Sequence, residues 1–562
     1  MSDIRRSILW VIFGFSLVLL WDQWQIHNGR QATFFPTQPP ATAQAPAQPG
    51  ASNAAVPAAS AALAGAVPGA AAAAPSSIAR QQHVVSTDVL KLTFDSEGGS
   101  LVGADMLQHR AVTGQPSQTQ PLTLLTQSPT HTYVAQTGLV GGALPTHKTP
   151  MQLVQGGQSL AEGQDETRLR FESEPVNGVV LAKTYTLARG SYRLGVQHEV
   201  INRSAAAITP QLYLQLVRDG SKADSDTPFY STFTGPAVYS EAAKYEKVEF
   251  EDIDKQKAEF QKTASDGYVA MVQHYFATAW WLDGGAAREN FVRKLDQSLY
   301  SAGLLTTLPS IAPGQSHTSS AHLFVGPQAE KVLEQLTPGL ELVKDYGWVT
   351  ILAKPLYWLL EKIQGVVQNW GWSIVLLVVL LKAAFYWLNA SAYRSMAKMK
   401  AVNPRVMELR ERLKSNPQQM QMEMMKLYRE EKVNPVGGCL PIMVQIPVFI
   451  ALYWVLLSSV EMRNAPWVGW ITDLSTPDPY FILPLVMTLT TVVQTALNPL
   501  PPDPMQAKLM WIMPLVFSVM FFFFPAGLVL YWITNNVLTI AQQAHINHRM
   551  GVPLKINLPK FK

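Results

Sequence analysis

Residues 371–400 read GWSIVLLVVLLKAAFYWLNASAYRSMAKMK, and the fold follows from this stretch. Gly371 to Leu388 is an apolar run long enough for a bilayer core, which takes about 17–25 helical residues. One charge, Lys382, interrupts it. An ionisable side chain at that depth costs at least about 2.5–3.5 kcal/mol, so its presence points to a function. A basic segment follows at once, with Arg394, Lys398, Lys400, Arg405, Arg410, Arg412 and Lys414. That bias predicts a cytoplasmic side. The reading is a membrane-embedded cation facing a polar groove, with a basic helical hairpin beneath it. A second reading stays open: Lys382 lies about 9 Å from the helix end, within snorkelling reach of the surface.

Charged residues make up only 15% of the 562, below the roughly 25% of soluble domains, so a membrane protein is expected. The net charge of +4 is too small to argue for nucleic acid. The single cysteine, Cys439, excludes an intrachain disulfide and a cysteine-based zinc cluster. No HExxH, GxSxG or phosphate loop is present in the soluble region. No metal, no cofactor and no enzymatic activity are expected.

Arg5 and Arg6 precede an apolar run from Ile8 to Trp21. A cleaved secretory signal has this shape. Trp21 and Trp24 suit the far interface, and no small-residue site follows directly, so residues 1–24 are expected to be a retained anchor. Residues 25–79 are mostly Ala, Pro, Gln, Gly and Ser, the composition of a flexible tether.

From 80 to 340 the pattern changes to period two. Leu90, Leu92 and Phe94 alternate with Lys91 and Thr93; Leu169 and Phe171 with Arg168 and Arg170. Leu181, Lys183, Tyr185 and Leu187 keep the same phase, as do Leu212, Leu214 and Leu216. Short alternating runs between turn residues predict a large antiparallel β-sandwich. Tyr275, Phe276, Trp280 and Trp281 either fill its core or line a sugar- or peptide-binding face.

Residues 341–369 are read as an amphipathic helical region lying in the outer interface. Trp348, Ile351, Leu352, Tyr357, Trp358, Leu359 and Ile363 share its apolar surface, and Pro355 is expected to kink or split it. Residues 391–437 form a hydrophilic excursion with a turn at Asn416-Pro417, hence a helical hairpin. Its second arm carries Met420, Met422, Met424 and Met425, which either zip the arms together or offer an adaptable apolar surface. Four more apolar segments follow, Leu440–Ser459, Tyr480–Leu497, Leu509–Phe524 and Leu528–His545. The fold class is therefore a polytopic α-helical membrane protein, with six transmembrane helices and a large antiparallel β-sandwich on the side opposite the basic segments, the periplasmic side in the family that the chain resembles below. Residues 370–548 form the core and 549–562 a cytoplasmic tail.

Gln445, Gln494, Thr534, Asn535 and Asn536 also sit in or near these segments, with no acidic residue in their cores to pair with Lys382. Interhelical hydrogen bonding explains some of them. A lone cation is better explained by a hydrated cavity.

Five ordered blocks carry a family resemblance: SMAKMK (395–400), EEKVNPVGGCLPIMVQIPVF (430–449), DLSTPDPYFILP (473–484), DPMQAKLMWIMP (503–514) and FPAGLVLYWITNN (524–536). The run from Asn369 to Gln543 resembles the YidC membrane-protein insertases of bacteria, in their longer Gram-negative form. The resemblance implies a five-helix core with a hydrophilic groove open to cytoplasm and lipid. It also implies a groove cation that draws in the polar flank of an incoming membrane protein. That cation is usually arginine; here the position holds Lys382. Gln494 and Trp532 match groove positions, with Gln445 nearby, and Asn535 joins them on the last helix. The hairpin residues Arg394, Lys398, Lys400, Arg405, Arg410 and Arg412 fall in a region implicated in contact with the ribosome and targeting factors. Implied partners are nascent membrane proteins, the ribosome and targeting factors, the secretion translocon and the phospholipid bilayer, at the inner membrane. Two other classes stay open at this point. One is a solute transporter or channel with a midplane cavity; the other is an envelope enzyme or sugar receptor acting through the β domain.

Overall fold

The computed structural model describes residues 80–111, 120–221, 232–413, 416–431, 440–498 and 504–549. The expected anchor, tether and residues 550–562 of the tail lie outside them. The chain divides into two compact units with the boundary between Lys344 and Asp345.

The first unit is built from two antiparallel sheets, each of nine described strands. One runs β1 (Gln82–Ser86), β2 (Leu90–Asp95), β3 (Ser100–Arg110), β4 (Pro121–Gln127), β5 (Thr132–Val140), β10 (Gln211–Asp219), β17 (Leu299–Thr307), β16 (Arg288–Asp296), β13 (Thr263–Ala264). The other runs β12 (Lys244–Lys247), β11 (Gly235–Ser240), β14 (Tyr268–Gln273), β15 (Phe276–Leu282), β18 (Ser316–Pro327), β9 (Arg193–Asn202), β8 (Val179–Ala188), β7 (Glu166–Ser173), β6 (Met151–Gly156). Two short helices, α1 (Phe250–Asp254) and α2 (Glu330–Glu334), complete it. The sandwich expected from period-two patterning is thus observed.

Alternation places the core. Leu92 and Phe94 on β2 and Phe171 and Tyr185 on β7 and β8 are buried, and the Phe94 and Tyr185 rings meet at 4.7 Å. The Tyr133 hydroxyl crosses to Thr278 at 2.7 Å, and the Trp280 indole donates to the carbonyl of Gln215 at 3.3 Å. Tyr275, Phe276, Trp280 and Trp281 are each at most 4% exposed, so these aromatics are core and not a binding face.

Lys183 keeps its inward phase and is fully buried. Its amine donates to the carbonyls of Gly98 (2.5 Å) and Thr137 (2.7 Å), both from the facing sheet's strands and turns. Burial pushes the amine down to about 7. His198 contacts the Thr137 hydroxyl at 3.0 Å, and burial, then the Lys183 charge, hold it down at about 3. His147, against the Tyr213 hydroxyl at 2.6 Å, is lowered to about 3 for the same two reasons.

The second unit is helical: α3 (Thr350–Val367), α4 (Trp370–Ala384), α5 (Tyr386–Arg412), α6 (Pro417–Glu430), α7 (Leu440–Ser458), α8 (Ile482–Leu497), α9 (Pro504–Met520) and α10 (Ala526–Arg549). α10 packs against α8, α4 and α5, while α3 packs against α7 and α4. Among the described residues no helix is long and apolar enough to cross a membrane. The count of six crossings expected from hydropathy is thus not confirmed. The reasons are local. α4 holds 15 residues, because Phe385 leaves helical geometry before α5 begins. α8 holds 16 and α9 17, the latter passing into a 3-10 turn at Phe521–Phe523. α10 is longer but carries Thr534, Asn535, Asn536, Thr539, Gln542 and Gln543.

α3 differs from expectation in two ways. It continues through Pro355 without splitting, although the proline has no N–H to give the carbonyl of Ile351 four residues back. Its apolar residues also divide between faces: Tyr357 and Leu360 are buried, whereas Ile351, Leu352 and Trp358 are exposed. The Tyr357 hydroxyl donates to Glu461 at 2.7 Å, tying α3 to the turn after α7.

Candidate functional site

α4 begins where its sequence caps it. The Asn369 side chain accepts the N–H of Trp372 at 3.1 Å, an N-cap, and its amide donates to the carbonyl of Pro466 at 3.2 Å. Gly371 lies so close to the Trp467 ring that a Cβ would collide with it. From there Ile374, Val378 and Lys382 follow at four-residue steps on the buried face. Lys382 therefore points into the bundle because the helix repeat puts it there.

The Lys382 amine donates to the hydroxyl of Thr539 on α10 at 2.8 Å, and both residues are buried. The snorkelling alternative is not what the structure adopts. Thr539 in turn donates to the backbone carbonyl of Asn535 at 2.7 Å. Two of the expected groove residues, Lys382 and Asn535, are thus joined through a third that the sequence reading missed. The available signal was its spacing: Thr539 stands four residues after Asn535 in a polar series of helical period.

α10 carries a second polar seam on another face. The amide of Asn536 donates to the hydroxyls of Thr490 (3.2 Å) and Thr491 (3.0 Å) on α8. One turn past Thr539, on the face that meets Lys382, Gln542 accepts from Asn389 of α5 at 3.4 Å.

The other expected residues are less closely joined. Trp532 is half-buried between the rings of Phe449 (4.7 Å) and Phe521 (4.9 Å), an aromatic cluster linking α7, α10 and the Phe521–Phe523 turn. Gln445 and Gln494 are half-buried, and among the described residues neither hydrogen-bonds Lys382. In the hairpin, Arg394, Lys398, Arg405 and Arg412 are exposed and Arg410 is half-buried; Lys400 lies on α5. Arg405 pairs with Glu431. Asn416 caps α6 by accepting the N–H of Gln419 at 3.2 Å. Val402 and Val406 pack against Met424, Leu427 and Tyr428, while Met422 and Met425 are exposed. Of these methionines, Met424 therefore helps to zip the arms together.

The loop between α7 and α8 supplies a rigid rim. One carboxylate oxygen of Asp478 accepts the Trp470 indole N–H (2.9 Å) and the Tyr480 N–H (2.9 Å), and the other accepts the Leu483 N–H (2.7 Å) at the start of α8. The same loop presents the carbonyls of Thr476 and Leu474 to the N–H groups of Ala526 (2.8 Å) and Gly527 (2.9 Å). These are donors that a helix start leaves unpaired. Among the described residues no group of His, Cys, Asp and Glu side chains is arranged to hold a metal.

Comparison with known proteins assigns both units. Residues 82–359 match the family described as the YidC periplasmic domain, and residues 362–552 the family described as the 60Kd inner membrane protein. The chain is 53% identical over 552 residues to a membrane protein insertase YidC of Cupriavidus necator, covering 98% of each. It is 52% identical over 555 residues to the protein of that name from Ralstonia nicotianae, covering 98% of this chain and 99% of the relative. A crystal structure of an active YidC insertase aligns over 82% of this chain and 91% of its own, at 18% identity and a TM-score of 0.36.

Proposed function

This chain belongs to the YidC family of membrane protein insertases, and from that premise we propose that it passes the polar flanks of its substrates through a groove whose wall carries Lys382. The chain is an inner-membrane insertase with a periplasmic domain, and its substrates are membrane proteins. The transporter and channel alternative is set aside by the same relatives.

One observation carries the groove reading: the Lys382 amine is turned inward onto Thr539 instead of outward to lipid or surface. A substrate helix partitions into lipid readily, but its polar flank resists crossing. A hydrated recess shortens the apolar distance that flank must travel. A fixed cation offsets part of the cost of desolvating acidic residues on the way. Asn535, Gln445 and Gln494 line the polar route, and Trp532 with its aromatic neighbours closes it toward the outer side. The chain crosses the membrane several times with its C-terminus in the cytoplasm. The basic hairpin then receives the ribosome and targeting factors, and the translocon cooperates for larger substrates. The reaction consumes no nucleotide on this chain.

The test is insertion of a small membrane protein with an acidic translocated tail by purified chain in proteoliposomes. Lys382→Ala slows insertion, and Lys382→Arg preserves it because guanidinium stays charged. Insertion by Lys382→Ala at the parental rate overturns the requirement for a groove charge.

A further inference from the structure

We propose that Thr539 is the positioning residue for Lys382, holding its amine at the α4–α10 seam in an orientation that leaves the remaining N–H bonds for substrate or water. The inference rests on the groove reading above and adds to it a residue on the opposite helix.

The chemistry of a hydroxyl makes the case. Thr539 has one proton to give, and the carbonyl of Asn535, four residues back, receives it at 2.7 Å. Toward Lys382, 2.8 Å away, the oxygen therefore presents lone pairs only. The contact is matched to a donor and to nothing else, and Lys is donor-only when charged. The threonine is also stiff. Its branched Cβ restricts χ1 in a helix, and the bond to the i−4 carbonyl selects one of its two common rotamers. Lysine is the opposite, a four-carbon stem with several free torsions. A rigid acceptor on α10 thus fixes the end of a flexible side chain on α4. Among the described residues the amine has no other hydrogen-bond partner, so none of them takes up the donors beyond the first. An arginine at 382 has five donors in a planar fork and depends less on one acceptor. Thr539 matters here because the cation is a lysine.

Initial insertion rates in proteoliposomes, measured for a double-mutant cycle in the full-length chain, test this. Thr539→Val removes the acceptor at nearly constant shape and is expected to slow insertion by roughly five- to tenfold. Thr539→Ser keeps the hydroxyl and retains most of the rate. In a Lys382→Ala background, Thr539→Val produces no further loss. In a Lys382→Arg background its effect falls to about twofold or less. An equal loss from Thr539→Val with and without Lys382 overturns the proposal, because a purely structural threonine is additive with the lysine. A parental rate for Thr539→Val beside a slow Lys382→Ala overturns it alone. A parental rate for Lys382→Ala overturns the groove reading and the proposal with it.

Discussion

The amine of Lys183 on β8 lies 2.7 Å from the carbonyl oxygen of Thr137 on β5, so a titratable side chain of one sheet is anchored on the backbone of the other. His198 reaches the hydroxyl of the same threonine at 3.0 Å. Two bases therefore converge on one residue in a buried layer, and among the described residues neither hydrogen-bonds a carboxylate. Burial disfavours the charged form of each.

The β unit should accordingly lose stability on acidification. Free imidazoles take up protons near 6.5, but His147 and His198 in the folded unit resist until about 3. The unfolded chain binds the extra protons, so the imidazoles' contribution is whole above about 6.5 and is lost as pH falls toward 3. The slope is up to about 1.4 kcal/mol per pH unit for each imidazole. Lys183, lowered from 10.5 to about 7, adds a second limb on which stability rises with pH between those values. Urea midpoints of the full-length chain, read by exchange protection of β8 and β9 amides, check the profile. His198→Gln should roughly halve the slope of the acid limb, leaving the His147 part, and Lys183→Met should remove the alkaline one.

Gly98 is the next point of vulnerability. Its φ of +71° suits glycine, and a Cβ there would run into the backbone carbonyl of His147. Its own carbonyl accepts the Lys183 amine at 2.5 Å. Gly98→Ala should cost more than about 3 kcal/mol, combining left-handed strain with displacement of a buried hydrogen bond. Limited proteolysis of the full-length chain should show cleavage within the β unit at protease levels the parent withstands.

Asp478 should behave as a structural anion. Its two oxygens accept three N–H groups and leave the α8 start with little else to cap it. Charge-assisted bonds at a helix N-terminus are the stronger kind. Asp478→Ala should lower stability by roughly 2–4 kcal/mol. Asp478→Asn recovers only part of this, because its NH2 group faces a donor. Thermal unfolding in detergent, with exchange at Leu483 as the local readout, separates the two.

The period-two phase of β8 already placed Lys183 beside Leu181 and Tyr185, because alternation is a local property. Its acceptors, 46 and 85 residues away in sequence, were not legible, because pairing of distant strands leaves no local mark. Lys382 was legible for a different reason: a lone charge in an apolar run stands out. Thr539 was not, because threonines in helices commonly satisfy themselves on the preceding turn. Only the neighbouring helices separate the face of α10 that meets Lys382 from the face that meets Thr490 and Thr491. The hydropathy reading carried the first segment on to Leu388, past the end of α4 at Ala384, because it sums residues without seeing where Phe385 leaves the α-helix; it also set the start of α9 at Leu509, five residues late.

The α8–α10 seam yields a sharper prediction, because its donors and acceptors are all assigned. The hydroxyls of Thr490 and Thr491 both give their protons to the carbonyl of Met487, at 2.8 Å each. Toward Asn536 they are therefore acceptors, and its amide supplies the two donors that the seam needs. Asn536→Val removes both bonds and leaves two hydroxyls that keep their backbone acceptor. Polar contacts between membrane helices average about 0.6 kcal/mol and reach about 1.7, so the loss should stay below roughly 2 kcal/mol. Asn536→Asp is nearly the same size but offers lone pairs to lone pairs. It must either bury an anion against two oxygens or take up a proton to supply one donor where two are required. Aspartate should therefore destabilise more than valine, in reverse of their similarity to asparagine. Detergent unfolding midpoints for the two variants decide it: an Asn536→Asp chain as stable as the parent would mean that the Asn536 amide is not the donor of this seam.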